Sequence, residues 1–208
     1  MRSKACLHLC YGARQRASTA KALAIASREE RETGFPTLSS AEPVSDWVRR
    51  WAVLVTTGPV LDIASGAGRH AVFFAERGLE VIAVDREAQK IPRVQFVQAD
   101  IEGSPWPFAG RKFAAIVVTN YLHRPLFPHI EAALAADGVL LYETFMVGNE
   151  KFGRPSNPAF LLEPGELLQA FRGLEPIAFE QGRVERPKPA MIQRLCARRG
   201  EGMVKIAS

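Results

Sequence analysis

The residues with the clearest capacity for chemistry lie in Leu61-Asp62-Ile63-Ala64-Ser65-Gly66-Ala67-Gly68-Arg69-His70. A short apolar run ends in a turn of small residues, and helix-forming sequence starts directly after it. Gly66 and Gly68 let the backbone approach a ligand where side chains would collide. Seventeen residues after Gly68, Asp85 closes a second apolar run. A carboxylate there can accept hydrogen bonds from both hydroxyls of a ribose. Asp100, in Gln98-Ala99-Asp100-Ile101, closes a third run, where it can receive the amino group of an adenine.

Two chemistries fit this turn. Gly66-x-Gly68-x-x-Ala71 followed by Asp85 matches a dinucleotide fingerprint, with a pyrophosphate at the helix N-terminus. The acidic residues argue for a different ligand. Asp62 stands four residues before Gly66. Its charge suits the amino group of a methionine moiety and repels a pyrophosphate. Carboxylates at three successive strand ends also exceed what turn capping requires.

The elements that must position these groups follow from hydrophobic periodicity. Ser45 is an N-cap for a short helix carrying Trp47 and Trp51. Strands are predicted at Val60–Ile63, Val81–Asp85, Val94–Asp100, Phe113–Asn120 and Val139–Phe145. Helices are predicted over His70–Arg77, over Leu126–Ala136 up to an Asp137-Gly138 stop, and over Pro164–Phe171. Two final runs, Pro176–Glu180 and Met191–Ala197, have strand character. Short apolar strands alternating with helices imply a doubly wound, mostly parallel α/β sheet, with the last two strands as an antiparallel edge hairpin. Only Arg86–Arg93 separate the second strand from the third, fewer residues than a helical crossover takes.

Composition bounds the rest. With 208 residues and 47% apolar content, the chain can build one substantial core. The net charge of +5 divides into +4 on residues 1–40, −4 on 41–182 and +5 on 183–208. Positive charge at the two ends reads as solvated surface, and nucleic acid is not an expected partner. Residues 1–28 hold six Lys or Arg and no Asp or Glu, the composition of a transit peptide or a dispensable tail. We therefore expect an N-terminal extension over 1–40 and one domain over 41–208. No apolar run approaches the roughly 18 residues of a membrane span. Cys6, Cys10 and Cys196 read as free thiols of a cytoplasmic protein, with no metal site.

Leu61–Gly68, Val81–Asp85 and Ala99–Asp100 together resemble the first motifs of class I S-adenosylmethionine-dependent methyltransferases. The resemblance runs over about residues 44–200. It implies a Rossmann-like fold and S-adenosylmethionine as cofactor. Asp62, Ala64, Gly66 and Gly68 would form the methionine-side loop, Asp85 would bind the ribose, and Asp100 with Ile101 would flank the adenine. Ala64 stands where glycine is commonest in that family. The segment Asn157–Gly173 is similar to the tellurite-resistance-type branch, whose enzymes methylate chalcogen oxyanions or thiols. That branch carries a His-Arg pair in its C-terminal hairpin. Val184-Glu185-Arg186 supplies the Arg and no His.

The fourth strand of such a fold ends at the transferring methyl group. Here it is followed by Thr119-Asn120-Tyr121-Leu122-His123-Arg124-Pro125. Asn120 is placed with the cofactor, Tyr121 beside the acceptor, and His123 is the candidate base, since imidazole titrates near neutrality. In the long loop Met146–Phe160, Arg154 is a candidate contact for an anionic acceptor. Glu143 is a second polar contact near the mouth of the sheet. The expected activity is methyl transfer to a small-molecule acceptor. An NAD(P)-dependent oxidoreductase and a non-catalytic cofactor-binding module are the alternatives, and no Tyr-x-x-x-Lys spacing supports the first.

Overall fold

The computed structural model describes residues 42–200. The expected extension over 1–40, with Cys6 and Cys10, lies outside the described residues. The chain runs through α1 (Asp46–Trp51), β1 (Val60–Ile63), α2 (Arg69–Glu76), β2 (Val81–Asp85) and β3 (Gln95–Gln98). It continues through β4 (Phe113–Thr119), α3 (Phe127–Ala133), β5 (Leu134–Phe145), α4 (Glu166–Ala170), β6 (Glu175–Val184) and β7 (Ala190–Arg198). The seven strands form one sheet in the order β3-β2-β1-β4-β5-β7-β6. The first five are parallel, and β7 pairs antiparallel with both β5 and β6.

Period-two alternation sends each strand's residues to two cores. Leu61, Ile63, Ile82, Val84, Ile116 and Val118 face α3 and α4, where Ile130, Leu167 and Phe171 complete one cluster. Val60, Val81, Ala83, Ala115 and Val117 face α1 and α2, against Trp47, Val48, Ala71 and Phe74. Ser45 caps α1 as expected, its hydroxyl accepting from the Trp47 and Val48 N–H groups.

The fold is therefore the anticipated α/β sheet with an antiparallel edge, but several elements differ in extent. The third strand is only Gln95–Gln98, shorter than the run Val94–Asp100 suggests. Neither residues 86–94 nor residues 99–112 contain a helix. In the first of these crossovers Ile91 is buried and fills the space beside α2. Helix α3 stops at Ala133 and β5 starts at once with Leu134. Asp137-Gly138 is thus a kink inside a strand and not the expected helix stop. Asp137 takes φ 59°, its N–H donates to the Arg199 carbonyl, and the Arg199 N–H donates back to the Gly138 carbonyl. Helix α4 begins at Glu166 behind a left-handed Gly165, so Pro164 precedes the helix and does not open it.

Candidate functional site: two pockets at the carboxyl ends of the strands

Ile63 aligns with both Val84 and Val118, so β1, β2 and β4 end together. The turn after β1 alternates left-handed residues, Ala64 at φ 51°, Gly66 at 53° and Gly68 at 79°. Ala64 accepts this conformation in place of glycine, a strain of about 1–2 kcal/mol. Gly66 faces open space, with nothing within 4 Å of where a Cβ would stand. Gly68 has a different reason for being glycine than ligand approach. A Cβ there would lie 2.4 Å from Ile91 Cδ1, so the residue makes room for the segment that replaces a crossover helix.

Asp62 does not stand at a pocket wall. It is 1% exposed beneath the turn, and its carboxylate accepts the Ala71 N–H at 2.9 Å, holding the first turn of α2. Burial pushes its pKa up to about 7 against the opposing effects of that hydrogen bond and of Arg69. Asp85 lies in the open, where Oδ2 accepts from the Gly66 N–H at 2.8 Å and Oδ1 from the Glu87 N–H at 3.0 Å. Each oxygen keeps a second lone pair for a ligand. Asp100 Oδ1 accepts from the Gly103 and Glu102 N–H groups, which hold its carboxyl below the usual range.

A cavity of about 700 Å3 opens here. Ala64, Asp85, Asp100, Ile101, Tyr121 and His123 all contribute to its wall, so six of the residues singled out in the sequence meet in one place. Arg86, Ala99 and Gly103 line it as well, as do two side chains that sequence reasoning did not connect with the site, Glu102 and Phe160. Glu102 Oε2 lies 3.9 Å from His123 Nδ1. Its carboxylate also adjoins the Tyr121 hydroxyl, whose pKa is raised first by burial and then by Glu102. No spacing rule could have linked Glu102 to His123, because the fold and not the sequence brings the two loops together.

A second cavity, of about 330 Å3, lies on the other side of the β4 end. Asn120, at φ 55°, contributes to this one and not to the larger one. Glu143 and Phe145 of β5, Arg194 of β7, Val44 and Ser45 before α1, and Arg186 with Lys188 from the β6–β7 turn also line it. The pair Arg194–Glu143 is only 19% and 12% exposed, with Nε to Oε2 at 2.5 Å. Arg69 is paired with Glu42 at the rim. Arg186 and Lys188 have no ion-pair partner among the described residues. Arg154, by contrast, is exposed on its loop and reaches neither cavity, so the loop does not bring it to the site.

His70, also missed in the sequence, ties the two halves together. It is 1% exposed, its Nε2 accepts the Ser45 N–H at 3.2 Å, and its Nδ1 lies 3.2 Å from Thr119 Oγ1. Burial, then the nearby Arg69, holds its pKa down at about 3, so the ring is neutral. With Nε2 accepting, the proton is assigned to Nδ1. Among the described residues, no group of three His, Cys, Asp or Glu is arranged to hold a metal. No helix among them is long and apolar enough to cross a membrane.

Residues 60–138 match a family model described as a methyltransferase domain. No curated protein sequence matches the chain. Among solved structures, TehB from Haemophilus influenzae superposes with a TM-score of 0.63 at 15% identity, over 75% of this chain and 62% of that one. The chain thus spans less than two thirds of the length of TehB. A SAM-dependent methyltransferase from Methanosarcina mazei gives 0.56 at 12% identity, over 76% of this chain and 99% of that one. The 1,6-didemethyltoxoflavin-N1-methyltransferase of Burkholderia thailandensis, solved with 1,6-didemethyltoxoflavin and S-adenosylhomocysteine, gives 0.53 at 19%. That match covers 97% of this chain and 94% of that one. At these identities the structural likeness speaks for the fold. With the sheet order, that fold is the one shared by these S-adenosylmethionine-dependent methyltransferases, and the family match puts a methyltransferase domain over residues 60–138, the glycine-rich turn included.

Proposed function

We propose that this chain transfers the methyl group of S-adenosylmethionine to a small anionic acceptor. In this reading the adenosyl half occupies the larger cavity and the acceptor enters through the second. The observation that carries it is the division of charge at the end of β4. Asp85, Asp100 and Glu102 outnumber the one cation, Arg86, on the larger cavity, whereas on the other the pairs Arg69–Glu42 and Arg194–Glu143 neutralise each other and Arg186 and Lys188, without an ion-pair partner among the described residues, outweigh Asp46.

The residues of the larger cavity suit the cofactor. Asp85 has lone pairs to spare for two ribose hydroxyls, Asp100 for an adenine amino group, and Ile101 and Ala64 offer apolar contact. Gly66 leaves room for the methionine side, and Asn120 stands on the far side of the β4 end. Asp62 acts from below, by fixing the turn and α2. When bound, S-adenosylmethionine supplies an electrophilic methyl group and departs as the neutral thioether S-adenosylhomocysteine. The protein's part is to align the acceptor and keep water out, which accounts for most of the rate in such a displacement. His123, beside Glu102 on the wall of the larger cavity, takes a proton where the acceptor's reacting atom reaches past the end of β4 and has one to lose, and Tyr121 bounds that position.

Calorimetric titration with S-adenosylmethionine, S-adenosylhomocysteine, NADH and NADPH tests the cofactor. We expect micromolar binding of the first two alone; binding of a pyridine nucleotide instead would refute the reading. Methyl transfer is then screened across thiols, chalcogen oxyanions and small carboxylates. Arg186→Ala with Lys188→Ala should raise the acceptor KM roughly tenfold. An acceptor turned over equally well without these cations is not held by its charge. His123→Ala should lower kcat by about 10²-fold and leave S-adenosylhomocysteine affinity alone.

A further inference from the structure

Phe160 is 50% exposed, yet the main chain on either side of it is tied down. The reason is Arg124, which immediately follows His123. Its guanidinium grips Glu166 through Nε at 2.6 Å and Nη2 at 2.9 Å. The same group donates to the carbonyls of Ala159 at 2.9 Å and Leu161 at 2.8 Å, the two residues that flank Phe160. Below the clamp, the Phe160 N–H donates to the Asn157 carbonyl. The ends of the loop are fastened to β5, where the Val147 N–H meets the Leu162 carbonyl and the Leu162 N–H meets the Phe145 carbonyl.

A large apolar side chain free to move would turn away from water. Here the main chain on both sides of the ring is held by two charge-assisted hydrogen bonds from Arg124, and Phe160 forms part of the wall that also holds Asp85, Asp100 and Ile101. Among the described residues half of Phe160 is left uncovered, and a flat aromatic group in the larger cavity would cover it.

We propose that Phe160 covers the adenosyl group in the larger cavity and that Arg124, itself held by Glu166, is its positioning residue. The proposal rests on the reading of that cavity as the adenosyl site. Phe160 thus adds an apolar aromatic face to a wall that also carries Tyr121, His123 and the carboxylates.

The test uses the full chain, with S-adenosylhomocysteine and free adenosine as calorimetric probes. Phe160→Ala should weaken both ligands by a similar factor, on the order of tenfold. Phe160→Trp should keep the affinity, and S-adenosylhomocysteine should change its emission beyond any change in the unsubstituted protein. Arg124→Gln should weaken S-adenosylhomocysteine several-fold. Combined with Phe160→Ala it should cost less than the product of the two factors, because both remove one contact. That shortfall separates positioning from a general loss of stability. Unchanged affinities in Phe160→Ala, or a loss confined to S-adenosylhomocysteine, would overturn the proposal. Failure of the unsubstituted protein to bind S-adenosylhomocysteine would overturn the proposed function itself, and this inference with it.

Discussion

The Asp85 carboxylate accepts a 2.8 Å hydrogen bond from the Gly66 N–H, so the last residue of β2 fixes the turn that follows β1. One side chain thus both shapes the loop and faces the cavity. Asp85→Ala removes a charged acceptor from the ligand and an anchor from the turn. We expect S-adenosylhomocysteine affinity to fall more than tenfold by calorimetry, since a hydrogen bond to a charged group is worth about 1.5–3 kcal/mol. Asp85→Asn keeps an oxygen for the turn and should recover the melting temperature but not the affinity.

Much of this arrangement is legible in the sequence. Apolar runs ending in Asp62, Asp85 and Asp100 marked strand ends on one side of a sheet, and Asp85 and Asp100 do meet there. Asp62 went astray because its strand is buried on both faces, and no alternation of polar residues tells which way its carboxylate points. Asp137-Gly138 misled for a related reason. The left-handed conformation these residue types favour serves a helix stop and a strand kink equally well. Arg154 and Phe160 share one loop, and only the contacts of Arg124, from a distant segment, decide which of them reaches the cavity.

Gly68 provides a test of how the shortened crossover is accommodated. Gly68→Ala puts a methyl group into Ile91 at a left-handed φ, and should destabilise the protein by about 1–3 kcal/mol in chemical denaturation. Ile91→Val removes the nearest colliding atom, Cδ1, and should recover part of that loss when the two changes are combined. Additive losses would show that backbone strain, and not Ile91, sets the requirement.

Asp62 makes stability depend on pH in an unusual direction for a carboxylate. Its folded pKa of about 7 exceeds the unfolded value near 3.9, so the folded chain holds the proton more tightly. Its contribution is fully present below about pH 4 and is lost as pH rises through about 7. Asp62→Asn can still accept the Ala71 N–H and carries no charge. The variant should be more stable than the parent at pH 8, by about 1–4 kcal/mol, with the difference vanishing near pH 4. Urea midpoints measured across pH 4–8 give the answer; parallel curves would mean that Asp62 is ionised throughout.

Cys196 should be inert in the native state. It is fully buried on β7, and burial pushes its thiol up to about 12. Labelling with a thiol reagent at pH 8, read residue by residue in the mass spectrometer, should modify Cys196 only after denaturant is added. Rapid native labelling would show that the hairpin opens readily.

The two helix-free crossovers leave β3 as a short edge strand, its central residues Phe96 and Val97 only half-buried. That lip carries or adjoins Asp85 and Asp100, so a bound nucleoside would staple the least protected margin of the sheet to its centre. Ligand held there draws the chain towards the folded state by mass action, by about 2.7 kcal/mol at a hundredfold excess over Kd. With the proposed function, the supply of cofactor would set how long the protein survives a protease as well as how fast it works.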